Sequence, residues 1–102
     1  MLGSFLTMTH AQARRIIQNI KLEGMFNSAL KWSFLAIPHS FLPDDIMIQI
    51  WVNGRCWARN FVLKDKTPTQ FAQELFEQCQ HILTTELYAN FILPTYSLDV
   101  GP

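Results

Sequence analysis

Asn53 and Gly54 constrain this chain more than any other residues, because they lie between two segments of alternating apolar residues, IMIQIWV and RCWARNFVL. Both residues tolerate the positive φ angles of a type I′ turn, the tightest connection between two antiparallel strands. The sequence therefore predicts a two-residue hairpin that pairs strand 46–52 with strand 55–63.

A two-residue loop also fixes which side chains share each side of the hairpin, because side chains alternate along a strand. On one side, the predicted cross-strand pairs are Val52 with Arg55, Ile50 with Trp57, Ile48 with Arg59, and Ile46 with Phe61. On the other side, they are Trp51 with Cys56, Gln49 with Ala58, and Met47 with Asn60. The first side is the more apolar and is expected to face the core. Arg59 is tolerable there because a long stem at a sheet edge reaches water.

The segments around the hairpin carry their own signals. Residues 9–23 form an amphipathic pattern in which Thr9 and Gln12 have capping-box spacing and Gly24 ends the helix. Residues 29–37 alternate like a strand that Pro38 terminates. Residues 67–88 form a second helix that begins with Thr67 as the N-cap and Pro68 at its first position. Residues 89–102 read as a tail that crosses the surface in an extended form.

This order predicts an α+β fold in one domain spanning residues 1–102. The predicted architecture is a two-layer α-β-β-β-α arrangement: a helix, a three-stranded antiparallel meander and a second helix, with both helices on one face of the sheet. A chain of 102 residues is long enough to bury a core without disulfides or a metal ion.

Composition excludes several classes of function. Charged residues make up 16% of the chain, against about 25% in a typical domain, and the formal net charge is zero. A general nucleic-acid binder would need a positive field that this chain lacks. Cys56 and Cys79 are too few for a disulfide framework, and the N-terminal segment lacks the pattern of a secretory signal. We expect a soluble, cytoplasmic protein.

The two helices can cover only one face of the sheet. The other face would expose Met47, Trp51, Cys56, Val62 and Leu35 among polar side chains, and an exposed apolar patch of a few hundred Å² usually marks an interaction site. We therefore predict a non-enzymatic adaptor, inhibitor or self-associating subunit that contacts a protein partner or a second copy of the chain. The predicted contact residues are Lys31, Met47, Gln49, Trp51, Cys56 and Asn60. In the alternative interpretation, residues 91–98 fold over Trp51 and close the core.

No arrangement of residues predicts catalysis. His39, Asp44 and Asp45 share one predicted loop, and a hydrolase or metal enzyme built on this loop is a third hypothesis. A catalytic metal site, however, needs three ligands in a fixed geometry, and the spacing of a metal motif is absent. Cys79 and His81 are two positions apart on a helix, so their side chains diverge. We expect no metal and no cofactor.

The order of elements, with Pro38-His39, Val52-Asn53-Gly54 and Lys64-Asp65-Lys66 at its junctions, resembles the layout of double-stranded RNA-binding domains over residues 9–88. The basic cluster that this family carries at its last helix is replaced by Thr67-Pro68-Thr69-Gln70. The resemblance therefore supports the architecture and implies weak RNA binding at most. A second hypothesis is a single-stranded nucleic-acid binder that stacks bases on Trp51 with help from Lys31, Arg55 and Lys64.

Overall fold

The computed structural model describes residues 7–23, 30–37, 44–87 and 95–98. Two α-helices, a π-helical turn and five strands form these parts of the chain. In chain order they are α1 (His10–Asn19), β1 (Ile20–Glu23), β2 (Trp32–Ala36), β3 (Asp45–Val52), β4 (Arg55–Val62), α2 (Pro68–His81), the π-helical turn (Ile82–Glu86) and β5 (Thr95–Leu98). The predicted α+β class, with two helices and a three-stranded antiparallel sheet, is confirmed.

The first helix begins as predicted and ends earlier. Thr9 and Gln12 form the capping box, with each side chain accepting a hydrogen bond from the backbone N–H of the other residue. The prediction of a helix over 9–23 is wrong beyond Asn19, because Ile20 has extended backbone angles and starts β1. Ile20 is buried, Lys21 is exposed and Leu22 is half-buried. This alternation is typical of a strand, and the antiparallel pairing with β5 makes residues 20–23 a strand and not the last turn of the helix.

The central sheet has the strand order β2-β3-β4 and is antiparallel throughout. The predicted pairing of β3 with β4 is confirmed at every position, from Val52 opposite Arg55 to Ile46 opposite Phe61. On its other edge β3 pairs with β2, where Trp51 lies opposite Ser33. The predicted strand 29–37 is shorter in the structure; residue 29 lies outside the described residues, and Ile37 still donates its backbone N–H to Met47 at 2.8 Å.

The hairpin turn has the geometry that the sequence demands. Asn53 has a φ of 49° and Gly54 a φ of 87°, so both residues lie in the left-handed region. The Asn53 side chain also accepts a hydrogen bond from the backbone N–H of Lys31 at 2.7 Å, and its own backbone N–H donates to the Lys31 carbonyl. The turn therefore ties the start of β2 to the β3–β4 hairpin.

The second helix also begins as predicted. Thr67 and Gln70 form a capping box, and Pro68 occupies the first helical position, where no backbone N–H is needed. After His81 the chain continues as a π-helical turn, and Leu87 closes that turn by donating its backbone N–H to Ile82. The predicted helix 67–88 is therefore divided into two types of helix, and its last residue lies outside the described part of the chain.

A second sheet was missing from the predicted order. β1 and β5 pair antiparallel, with Lys21 opposite Ser97 and Leu22 opposite Tyr96. The α-β-β-β-α order is thus incomplete, and the predicted tail 89–102 contains a strand. Tyr96 packs its ring against Phe76 of α2, with centroids 5.2 Å apart. This contact anchors β5 to the second helix.

The core lies between α2 and the side of the sheet that carries alternate residues of β3. Ile46, Ile48 and Ile50 have no exposed surface. From β4, Phe61 meets Phe71 of α2 edge-on at 5.6 Å, and Arg59 donates to Gln78 at 3.2 Å. The predicted inner side of the hairpin is therefore confirmed. None of the described helices has the length and apolar character to cross a membrane.

Truncating an inward side chain of β3 should destabilise the fold. Ile50→Ala removes fully buried methyl groups, so we expect the free energy of unfolding to fall by about 2–5 kcal/mol in chemical denaturation. The matched control is Leu35→Ala, because Leu35 is 57% exposed, and its effect should stay within about 0.5 kcal/mol. Equal losses in the two variants would contradict the assignment of inner and outer sides.

The turn offers a second test. A Cβ at Gly54 would meet no atom within 4 Å, so only the backbone angle opposes Gly54→Ala. The free energy of unfolding should fall by about 1–2 kcal/mol, the cost of an L-residue at positive φ. A synthetic chain with D-alanine at this position should keep the stability of the original, because D-residues favour positive φ. A loss with D-alanine would show that something other than φ constrains the turn.

Candidate functional site

The side of the central sheet that faces away from the core is called the outer sheet face below. Strand pairing places ten described residues on it: Ser33, Leu35, Asp45, Met47, Gln49, Trp51, Cys56, Ala58, Asn60 and Val62. Leu35 and Val62, at 57% and 45%, are the exposed large apolar residues of the described chain. They lie on this face and not on the core side. The outer sheet face therefore presents apolar surface to solvent.

Trp51 lies on the central strand of this face and is half-buried. Its neighbours across the strands are Ser33 on β2 and Cys56 on β4. The indole N–H donates to the Gln49 side chain at 3.2 Å, so the polar atom of the ring has a partner within the face. What remains of the indole is apolar, and side chains of the same face flank it.

A polar pair lies at the end of the outer sheet face that is opposite the hairpin turn. Asn60 donates its side-chain amide to the Asp45 carboxylate at 3.2 Å across β3 and β4. Asp45 is the single charged residue among the ten, and this contact joins it to a neutral neighbour. Asp45 was predicted to share a loop with His39; it is the first residue of β3, and His39 lies outside the described residues.

Five of the six predicted contact residues belong to this face: Met47, Gln49 and Trp51 from β3, and Cys56 and Asn60 from β4. The sixth, Lys31, is exposed and lies beside the hairpin turn through its two backbone hydrogen bonds with Asn53. The predicted contact set omitted Leu35 and Val62, although both have the strand parity of the outer side. Strand parity had already predicted that both would be exposed on this face, but the sequence did not show that they would be its most exposed large apolar residues.

None of the ten residues of the outer sheet face is an arginine or a lysine. The guanidinium of Arg55 sits over the Trp57 ring, 4.9 Å from its centroid, on the inner side of β4. Arg59 contacts Gln78 on that same inner side. Lys64 is exposed beyond the end of β4. Of the three cations predicted to assist base stacking, Lys31 and Arg55 both lie at the turn end of the hairpin, where Lys31 is bonded to Asn53 and Arg55 is paired with Val52, but the Arg55 side chain lies on the inner side.

The described residues contain no group of three His, Cys, Asp or Glu side chains that could hold a metal ion. Cys79 is fully buried in α2, and burial raises the pKa of its thiol far above the usual range. A thiol held in its protonated form is a poor nucleophile. Cys56 is an exposed free thiol on the outer sheet face.

In the alternative interpretation, residues 91–98 of the tail would fold over Trp51. Its described part, β5, pairs with β1, and Tyr96 reaches α2. Phe91 lies outside the described residues. Trp51 stays partly exposed in the structure, so the indole is not sealed within the chain.

No protein family, curated protein or solved structure matches this chain. The resemblance to double-stranded RNA-binding domains therefore remains an expectation from the order of elements.

The two cysteines should differ in reactivity. In native protein at neutral pH, a thiol reagent should label one cysteine per chain, Cys56, and denaturant should release the second, because the buried Cys79 thiol is protonated. The native Cys56→Ser variant should show no rapid labelling. Rapid labelling of that variant would contradict the burial of Cys79. The count of labelled thiols by mass spectrometry measures both outcomes.

Proposed function

We propose that this chain is a small non-enzymatic interaction module, an adaptor, an inhibitor or a subunit, that binds another protein through its outer sheet face. The observation that carries the proposal is the half-exposed Trp51 on a face whose large exposed side chains are apolar. The proposal takes both helices to cover the inner side, which leaves the outer side for a partner. The two free cysteines fit a reducing, cytoplasmic setting.

The energetics of such a face favour a protein partner. Covering apolar surface contributes about 2.5 kcal/mol per 100 Å² before the cost of association is subtracted. Tryptophan is among the residues that contribute most to protein interfaces, especially when it lies near their centre. Trp51 has this position, because it lies on the middle strand with Ser33 and Cys56 on either side.

The polar groups of the face support the same choice. Gln49 and Asn60 are neutral, and each is already bonded within the face, to Trp51 and Asp45 respectively. A partner surface would therefore meet few unsatisfied or charged groups that are costly to bury. A nucleic-acid strand, in contrast, would need cations along its phosphates, and Arg55 is occupied on the inner side.

A charge placed at the centre of the face tests the proposal. Trp51→Glu should leave the circular dichroism spectrum unchanged, because this side chain is part of an exposed face. In affinity capture from the native cells, it should lose a protein that the original chain retains, and purified components should reproduce the loss by at least tenfold in affinity, or about 1.4 kcal/mol. The matched control is Lys64→Glu, an exposed substitution away from the face, which should retain the partner.

Three outcomes would contradict the proposal. Unfolding of Trp51→Glu would place the indole in the core. Retention of the same proteins by Trp51→Glu and Lys64→Glu would show that the outer sheet face is not the docking site. Capture of nucleic acid, with binding that weakens steeply as salt rises, would favour the base-stacking hypothesis instead.

A further inference from the structure

The outer edge of β4 is open in the part of the chain that the structure describes, where β4 pairs with β3 alone. In a two-residue hairpin the residues flanking the turn exchange both of their backbone hydrogen bonds, and the residues that point toward the partner strand then alternate. Arg55, Trp57, Arg59 and Phe61 therefore bond to β3. The backbone groups of the residues between them point away from the sheet: Cys56, Ala58, Asn60 and Val62. These four residues are all exposed.

We propose that β4 pairs antiparallel with β4 of a second copy of this chain, with Ala58 opposite Ala58 across a two-fold axis. The two three-stranded sheets then join into one sheet of six strands. In this register the outward-pointing residues Cys56, Ala58 and Asn60 pair, so three backbone N–H and three C=O groups on each copy gain a strand partner. The Ala58 carbonyl, which accepts a hydrogen bond from Arg59 Nη1 at 3.0 Å in the single chain, exchanges that bond for one from a backbone N–H of the second copy. This inference goes beyond the proposed function, because it assigns a second surface and names its occupant.

The sequence of β4 selects this register. Two antiparallel registers pair seven residues of one strand with seven of the other while keeping the outward backbone groups in contact. One sets Arg59 directly opposite Arg59 of the second copy, and like charges in that position repel. The other sets Arg59 opposite Trp57 of the second copy, and Arg55 opposite Phe61. Arg59 then faces the half-buried ring of Trp57, which attracts a cation, whereas the Phe61 ring opposite Arg55 is buried in the core.

Glu86 adds charge complementarity in the same register. It accepts a hydrogen bond from the indole N–H of Trp57 at 3.3 Å and lies exposed at the end of the π-helical turn. Trp57 faces Arg59 of the second copy in this register. The Glu86 carboxylate that is hydrogen-bonded to Trp57 is therefore brought close to the Arg59 guanidinium of the second copy. Two such Arg59–Glu86 contacts would form, one on each side of the axis. An inward-facing charge at an edge strand ordinarily discourages pairing, and here it finds a counter-charge.

A second copy also brings the outer sheet face to a useful size. Three strands of up to eight residues give a face on the order of 14 by 26 Å, or about 360 Å². A standard interface covers roughly 800 Å² on each partner, so the outer sheet face of one copy is smaller than a standard interface. Joining two copies edge to edge doubles the face without covering Trp51, which lies on the middle strand. The dimer therefore presents two copies of the proposed docking surface side by side.

Oligomeric state is the first test. Analytical ultracentrifugation of the full chain should give twice its mass of 11.8 kDa, and Ala58→Pro should give the monomer. Proline removes an N–H that points away from β3, so the β3–β4 ladder and the circular dichroism spectrum should be preserved. The matched control is Leu35→Ser, on the outer sheet face but away from this edge, which should stay dimeric. A monomeric original chain, or a dimeric Ala58→Pro, would overturn the proposal.

Charge reversal gives a second test that does not depend on proline. Arg59→Glu should weaken the dimer at least tenfold, because it would place two carboxylates together at each Glu86 contact. The double variant Arg59→Glu with Glu86→Arg restores opposite charges and should recover the dimer. Failure of the double variant to associate more tightly than Arg59→Glu would contradict the register.

Cysteine cross-linking tests the register directly. In a Cys56→Ser background, Ala58→Cys should form a disulfide-linked dimer under mild oxidation, since the Cα atoms of directly opposite residues are about 5.5 Å apart. Asn60→Cys in the same background should not, because residue 60 faces residue 56 of the second copy. The reverse pattern would exclude this register. Trp51→Glu separates the two proposals, because it should lose the protein partner and keep the β4 dimer.

Discussion

The alternation along β3 is the constraint on which the rest of the structure depends. β3 is paired on both edges, so every second side chain must point to one side of the sheet. Ile46, Ile48 and Ile50 have no exposed surface, while Met47, Gln49 and Trp51 remain half-buried on the opposite side. A shift of one residue would exchange the two sets. The Asn53-Gly54 turn prevents this shift, because its length fixes the partner of each residue.

The parts that the sequence predicted are those governed by local chemistry. The turn, both capping boxes and the inner side of the hairpin depend on residues that are close together in the chain, and the structure contains all of them. Five of the six predicted contact residues share the outer sheet face for the same reason, since strand parity is a local property. Their role in binding a partner stays a prediction, because placement on a face does not identify what covers it.

The parts that were not predicted depend on contacts between distant residues. Ile20 continues the apolar stripe of α1, so the periodicity of a helix and the alternation of a short strand coincide there. Pairing with residues 95–98, more than 70 positions away, decides between them. The same pairing turns part of the predicted tail into a strand. A single sequence contains no local signal for such a partner, and tertiary pairing then overrides the helical pattern.

The distribution of side chains along β4 links the two surfaces. Its large residues, two arginines and two aromatic rings, all point to the inner side, where Arg55 covers Trp57 and Arg59 meets Gln78. The residues whose backbone points outward are smaller and uncharged. Charge or proline at such positions usually blocks pairing at an edge strand, and these four positions of β4 carry neither. The charge at this edge comes from Arg59, which donates to the outward carbonyl of Ala58 at 3.0 Å. The outer sheet face and the open edge share these residues, so a protein that docks on one and a second copy that pairs with the other would meet along the same strand.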